Sequence, residues 1–194
     1  ELYDSRDDIA VITRSVVSKV SFLNEYTDKE KDNLGKYSSN LFTLNTFYSS
    51  IKRTIKGNTP SDSTLSFLCK YWNCVASNII QWNELNKKEI SKVDLRENYI
   101  VTQGVVIQAI GQVGSYFINN AEINMYEILK GLRNIDWRRS ASIWKNRVIR
   151  ADGKILTSNK AILLASNQIK KELGIPLLPD EELKEKRYLE SLTI

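Results

Sequence analysis

Histidine is absent from the 194 residues, methionine occurs once, cysteine twice and proline three times. Without imidazole there can be no Ser-His-Asp triad, no imidazole general base and no two-histidine metal site. Cys69 and Cys74 lie five apart in a segment that reads as helix. That spacing turns them about 140° from each other around the axis, too divergent for a mutual disulfide. They read as two small core residues of a reducing cytoplasm. A zinc site built on two thiols and no imidazole would need carboxylates in unusual number, so neither a metal nor a cofactor is expected. Long hydrophobic runs are missing as well: nothing approaches the roughly 20 apolar residues of a membrane-spanning helix. The N-terminal ELYDSRDDIA lacks the basic and then apolar order of a signal peptide. It also starts without methionine, which makes a fragment of a longer protein the expectation.

What is present is ordinary for a globular domain, with 42% apolar and 26% charged residues. The length suits one domain with a small appendage. The apolar spacing is mostly helical, so a mainly α, compact multi-helix domain is expected over 1–178, followed by a charged, loosely packed terminal helix or tail over 179–194. Residues 7–20 place Ile9, Ile12, Val16, Val17 and Val20 on one stripe, with Asp7 and Asp8 in the first turn. Thr27 and Glu30 have capping-box spacing and predict a short helix ending at Gly35. Thr43 caps a helix bearing Leu44, Phe47, Tyr48, Ile51 and Ile55, stopped by Gly57. After the breaker cluster GNTPSDS, a single long helix over about 62–83 carries Leu65, Leu68, Cys69, Trp72, Val75, Ile79 and Trp82 on one broad core face.

The most apolar stretch is 99–118, YIVTQGVVIQAIGQVGSYFI, read as the central helix. Gly104, Gly111 and Gly114 fall within roughly 80° of one another on its wheel, which points to close approach by another backbone. A further amphipathic helix covers 123–134. Periodicity is then lost over 135–158, and 147–156 reads as the one small β-hairpin, around an Asp-Gly turn. Ser158 or Asn159 caps a last core helix over about 160–173, ended by Gly174 and Pro176.

The positive charge is concentrated. Residues 130–160 hold nine Lys and Arg against Asp136 and Asp152, a local +7 on a chain of +5, so the remainder sums to −2. Such a patch attracts a polyanion. Arg138, Arg139, Lys145, Arg147, Arg150 and Lys154 are the candidate DNA contacts, mostly to phosphates, with at most one or two reaching base edges. Trp137 and Trp144 sit within this segment and read as pins holding the loop to the helices. An ion pair of Asp136 with Arg138 or Arg139 would remove one arginine from the count.

The stretches SSNLFTLNTFYSSIKRTI (38–55), RENYIVTQGVVIQAIGQVG (96–114), IDWRRSASIWKNRVI (135–149) and SNKAILLASNQIKKELGIPL (158–177) resemble the C-terminal part of the DndB family of DNA sulfur-modification proteins. Asp136, Trp137, Arg139, Trp144 and Arg147 match the family pattern of Asp-Trp-Ser-Arg followed by Trp, two residues and Arg, with Arg138 in the place of the serine. The family's DGQHR motif is absent and would lie upstream. The resemblance implies a role in bacterial DNA phosphorothioation, where such proteins act as DNA-binding regulators of the modification genes. The partners it implies are double-stranded promoter DNA, the N-terminal DGQHR domain and another copy of the chain, with no membrane. A competing expectation is an assembly module without DNA contacts of its own. No catalytic residue is expected in this chain, since it has no Walker signature and its acids mostly sit on helix exteriors or in the tail; the upstream part falls outside that expectation.

Overall fold

The computed structural model describes residues 7–194. They form a mainly α domain in which α7 (Gly104–Ile118) runs between α3 (Leu44–Thr54) on one side and α9 (Asn159–Leu173) on the other. Around this layer lie α1 (Asp8–Lys19), α2 (Ser21–Tyr26), α4 (Asp62–Asn78), α5 (Ile80–Asn86), α6 (Lys92–Asn98) and α8 (Met125–Leu129), and α10 (Pro179–Ser191) packs on α9. No helix among the described residues is long and apolar enough to cross a membrane.

Several boundaries follow local chemistry as expected. Asp7 caps α1 by accepting the Ile9 N–H at 2.9 Å, Thr43 caps α3, and Ser158 caps α9. Gly174 ends α9 in the left-handed conformation, φ +70°. The hairpin is a minimal one: Ile149 bridges Ile155 antiparallel, Arg150 N–H donates to Lys154 O at 2.8 Å, and Gly153 sits at the tip with φ +82°.

Four expectations need correction. No helix forms over 27–35. Thr27–Asp28 (β1) instead pairs in parallel with Phe42–Thr43 (β2), and Asp28 Oδ1 accepts the N–H groups of Glu30 and Lys31 as a turn. The segment that follows is almost wholly polar and residues 29–33 are exposed, so a helix there would have no face to bury. The long helix over 62–83 is broken at Ile79, which is extended (φ −91°, ψ 108°). Asn83 Nδ2 donates to the Ser77 carbonyl that the break frees and to the Ile79 carbonyl that opens α5, and the bend stacks Trp82 on Phe22 with ring centroids 4.5 Å apart. The central helix starts at Gly104 rather than 99, because 99–103 is committed to the loop described below. The helix expected over 123–134 tightens after Leu129 into a 3₁₀ turn over Lys130–Asn134.

The glycine face is used unequally. A Cβ on Gly111 would fall on the Oγ and O of Ser50 and lie 2.8 Å from its carbonyl carbon, whereas one on Gly104 would meet nothing nearer than 3.7 Å. The two backbones are tied where they touch: Ser50 Oγ donates to Ile107 O at 2.8 Å and Thr54 Oγ1 to Gly111 O at 2.6 Å. Tyr71 adds its hydroxyl to Ile110 O from α4.

Both cysteines are free, Cys74 buried and Cys69 half-buried, and burial pushes both thiols above their ordinary value. The thiolate is the reactive species. Iodoacetamide at neutral pH should therefore modify the native chain far more slowly than free cysteine, and Cys69→Ser should leave the melting temperature unchanged. Rapid labelling of both thiols in the folded chain would contradict this burial.

Candidate nucleic-acid interface

The basic segment is irregular in backbone but firmly anchored. Ile100 N–H donates to Trp137 O at 3.0 Å, Arg139 N–H donates to Asn98 O at 2.9 Å, and Tyr99 bridges Arg138. These bonds draw 99–103 out of the central helix. Trp137 and Trp144 are buried and stacked, centroids 5.5 Å apart at 10°, and Trp144 Nε1 donates to Asp136 O at 2.6 Å. Both tryptophans thus pin the loop, and neither presents a face to a base.

The six candidate cations fare differently. Arg147 is a correction: it is only 2% exposed and cannot reach a phosphate. Its Nη1 donates to Leu164 O and Glu185 Oε2, both at 2.8 Å, its Nη2 donates to Glu185 Oε1 at 2.6 Å, and its Nε donates to Ile143 O. Tyr188 covers the guanidinium at 4.1 Å and sends its hydroxyl to Lys145 O. A buried guanidinium needs a counter-charge and filled donor sites, and α10 supplies the first.

Arg138 and Arg150 are exposed, each forked onto a carboxylate two residues away, Asp136 and Asp152. The arginine hydrogen bonds are the main cause that holds both aspartates below the usual carboxylate range, so the acids stay charged and offset the arginines. Arg139 is half-buried, and its Nη2 donates to Arg96 O at 3.3 Å. Lys145 and Lys154 are exposed and pair with no carboxylate among the described residues. The loop surface therefore holds three cations without an acid partner among the described residues (Arg139, Lys145 and Lys154) and two exposed arginines paired with aspartates.

Sequence reading missed a second gathering of charge. Arg53, Lys56, Lys160, Lys184 and Arg187 line one cleft of about 730 Å³, contributed by the end of α3, the start of α9 and the middle of α10. No window of the sequence brings them together. The only local sign is the i, i+3 spacing of Lys184 and Arg187.

Fold and surface together define a helical domain that carries a basic loop fastened by paired tryptophans. The chain belongs to the DndB family, described as DNA-sulfur modification-associated, whose family model matches residues 1–176. It is thereby associated with DNA sulfur modification. Comparison with curated proteins and with solved structures returns no match. The family match ends before α10, so both acids that meet the buried cations of the core, Glu181 and Glu185, lie outside it.

Proposed function

We propose that this chain is a DNA-binding regulatory part of a bacterial phosphorothioation system, acting in the cytoplasm on the promoter of the modification genes. The observation that carries the reading is the fastened basic loop of a DNA-sulfur modification family member, with Arg139, Lys145 and Lys154 free of acid partners among the described residues and Arg138 and Arg150 exposed. An exposed arginine held by a nearby aspartate can exchange that partner for a phosphate at small cost, because both ions stay solvated throughout. The rigid loop fixes the spacing of these cations before DNA arrives, which limits the ordering cost of binding.

The test replaces exposed cations only, Lys145→Gln, Arg150→Gln and Lys154→Gln together. Each phosphate contact contributes roughly 0.9 to the slope of log affinity against log salt, so the slope should flatten by about 2–3 units. The melting temperature should hold, because none of the three is buried. Wild-type affinity and slope for duplex DNA would remove the reading.

The alternative that would then stand is an assembly module. It is favoured by the exposed leucines of the terminal region, Leu178, Leu183, Leu189 and Leu192, between 45% and 63% exposed. On that reading the occupant is the DGQHR domain or a second copy, and self-association by sedimentation is its readout.

A further inference from the structure

We infer that the cleft between α3, α7, α9 and α10 is a binding site for a small polyphosphate anion of the nucleoside di- or triphosphate class, separate from the DNA-binding loop. Five cations line it, and none of them meets a carboxylate among the described residues. The one acid on the wall, Glu181, is already consumed by buried Lys170, with Nζ to Oε1 at 2.7 Å and to Oε2 at 3.0 Å. The cleft therefore carries a surplus of five positive charges.

Arg53 is the most informative member. It is half-buried, and its three nitrogens point at neutral amide oxygens: Nε to Gln108 at 3.3 Å, Nη1 to Gln112 at 3.2 Å and Nη2 to Asn159 at 2.9 Å. Burial lowers its proton affinity, yet no acid among the described residues compensates. Three amides fix the guanidinium in place and leave its charge unspent. An arginine so held is prepared for an anion that brings the missing charge. Lys160 stands in the first turn of α9, a fifteen-residue helix whose positive end adds to the same field.

Size and lining select the ligand class. About 730 Å³ lies within the range of small-molecule sites. Five cations exceed what inorganic phosphate can neutralise and suit a chain of two or three phosphates. Leu163 and Leu178 give an apolar wall, and Ser115 and Asn119 offer hydrogen bonds to the body of a nucleoside. No phosphate-loop motif is present, so the inference concerns binding and not hydrolysis.

The experiment titrates the 194-residue chain by calorimetry with ATP, ADP, pyrophosphate and inorganic phosphate, and in parallel with a duplex oligonucleotide. ATP, ADP and pyrophosphate should bind, each more tightly than inorganic phosphate. Lys184 and Arg187 are exposed, so K184Q/R187Q keeps the fold and should weaken all three by about tenfold or more through the loss of two charge-assisted contacts. Lys145→Gln with Lys154→Gln should leave nucleotide binding unchanged while weakening DNA, which keeps a failure of this inference distinct from a failure of the DNA-binding reading. Arg53→Met should abolish nucleotide binding, with its melting temperature recorded because Arg53 bridges three helices. The inference falls if none of the three probes binds, if inorganic phosphate binds equally well, or if K184Q/R187Q leaves nucleotide affinity intact. It also falls if that variant loses only DNA, which would make the cleft part of the DNA surface.

Discussion

Glu185→Ala is expected to lower stability by about 3–5 kcal/mol, the range for removing one partner of a buried ion pair. Glu185 is 5% exposed and accepts two bonds from Arg147 and one from Asn167, with Lys171 at 3.5 Å. Its loss leaves the Arg147 guanidinium enclosed by Leu164, Ile143 and Tyr188 with no negative charge. For a chain of this length the change corresponds to a fall in melting temperature of roughly 6–20 °C. Arg147→Met with Glu185→Leu should recover most of it, since removing both charges removes the uncompensated burial. An unchanged melting temperature for Glu185→Ala would mean that α10 is not docked in solution.

The same carboxylate gives the pH dependence a sign. Burial alone raises the Glu185 carboxyl, but the hydrogen bonds and charge of Arg147, with Asn167 and Lys171, outweigh it and bring the group below its ordinary value of 4.5. A carboxylate with a lowered folded value contributes stability that is complete above the unfolded value and lost as pH falls through the folded one. Acid titration of stability should therefore be steeper for the wild type than for Glu185→Gln below pH 4.5.

Gly111→Ala should be the most damaging single-methyl change in the domain, a net loss of about 2–4 kcal/mol. Overpacking a tight contact costs roughly 1–3 kcal/mol, and each interhelical hydrogen bond broken adds about 1 kcal/mol. The gain in helix propensity, up to about 1 kcal/mol, offsets only part. The added Cβ meets Ser50 backbone, which has no rotamer by which to yield, so α3 must move away from α7. That shift strains the Ser50–Ile107 and Thr54–Gly111 bonds together. Gly104→Ala, with its nearest neighbour at 3.7 Å, is the control and should be close to neutral. Equal melting temperatures for the two variants would show that the helices are not in contact at Gly111.

Much of this architecture is legible locally, because caps and stops are chemistry within one turn. Thr43, Ser158 and Gly174 act where their residue types say they should. The paired tryptophans are likewise read correctly as core, since an indole is too large to leave unburied without a partner. Local signals fail where distant contacts decide. Thr27 has the spacing of a capping box, but the polar segment after it has nothing to pack against. Ile79 continues an apolar stripe, yet the helix breaks there to let Trp82 reach Phe22. Arg147 looks like its neighbours in a basic run, and only the position of Glu185, 38 residues further on, distinguishes it. The cleft is less visible still, since its cations come from three segments and in the sequence each alone reads as a solvated lysine or arginine.

Two buried pairs, Arg147 with Glu185 and Lys170 with Glu181, have a consequence for how such chains can drift over evolutionary time. In each pair one member can change only at the cost of stranding the other, so single substitutions should be purged while joint ones persist. Among relatives that possess a counterpart of α10, an apolar residue at position 147 should come with an apolar residue at 185, and likewise for 170 and 181. Relatives without that helix should have lost both buried cations. The identity of two residues in the body of the domain would then record whether the terminal helix exists at all.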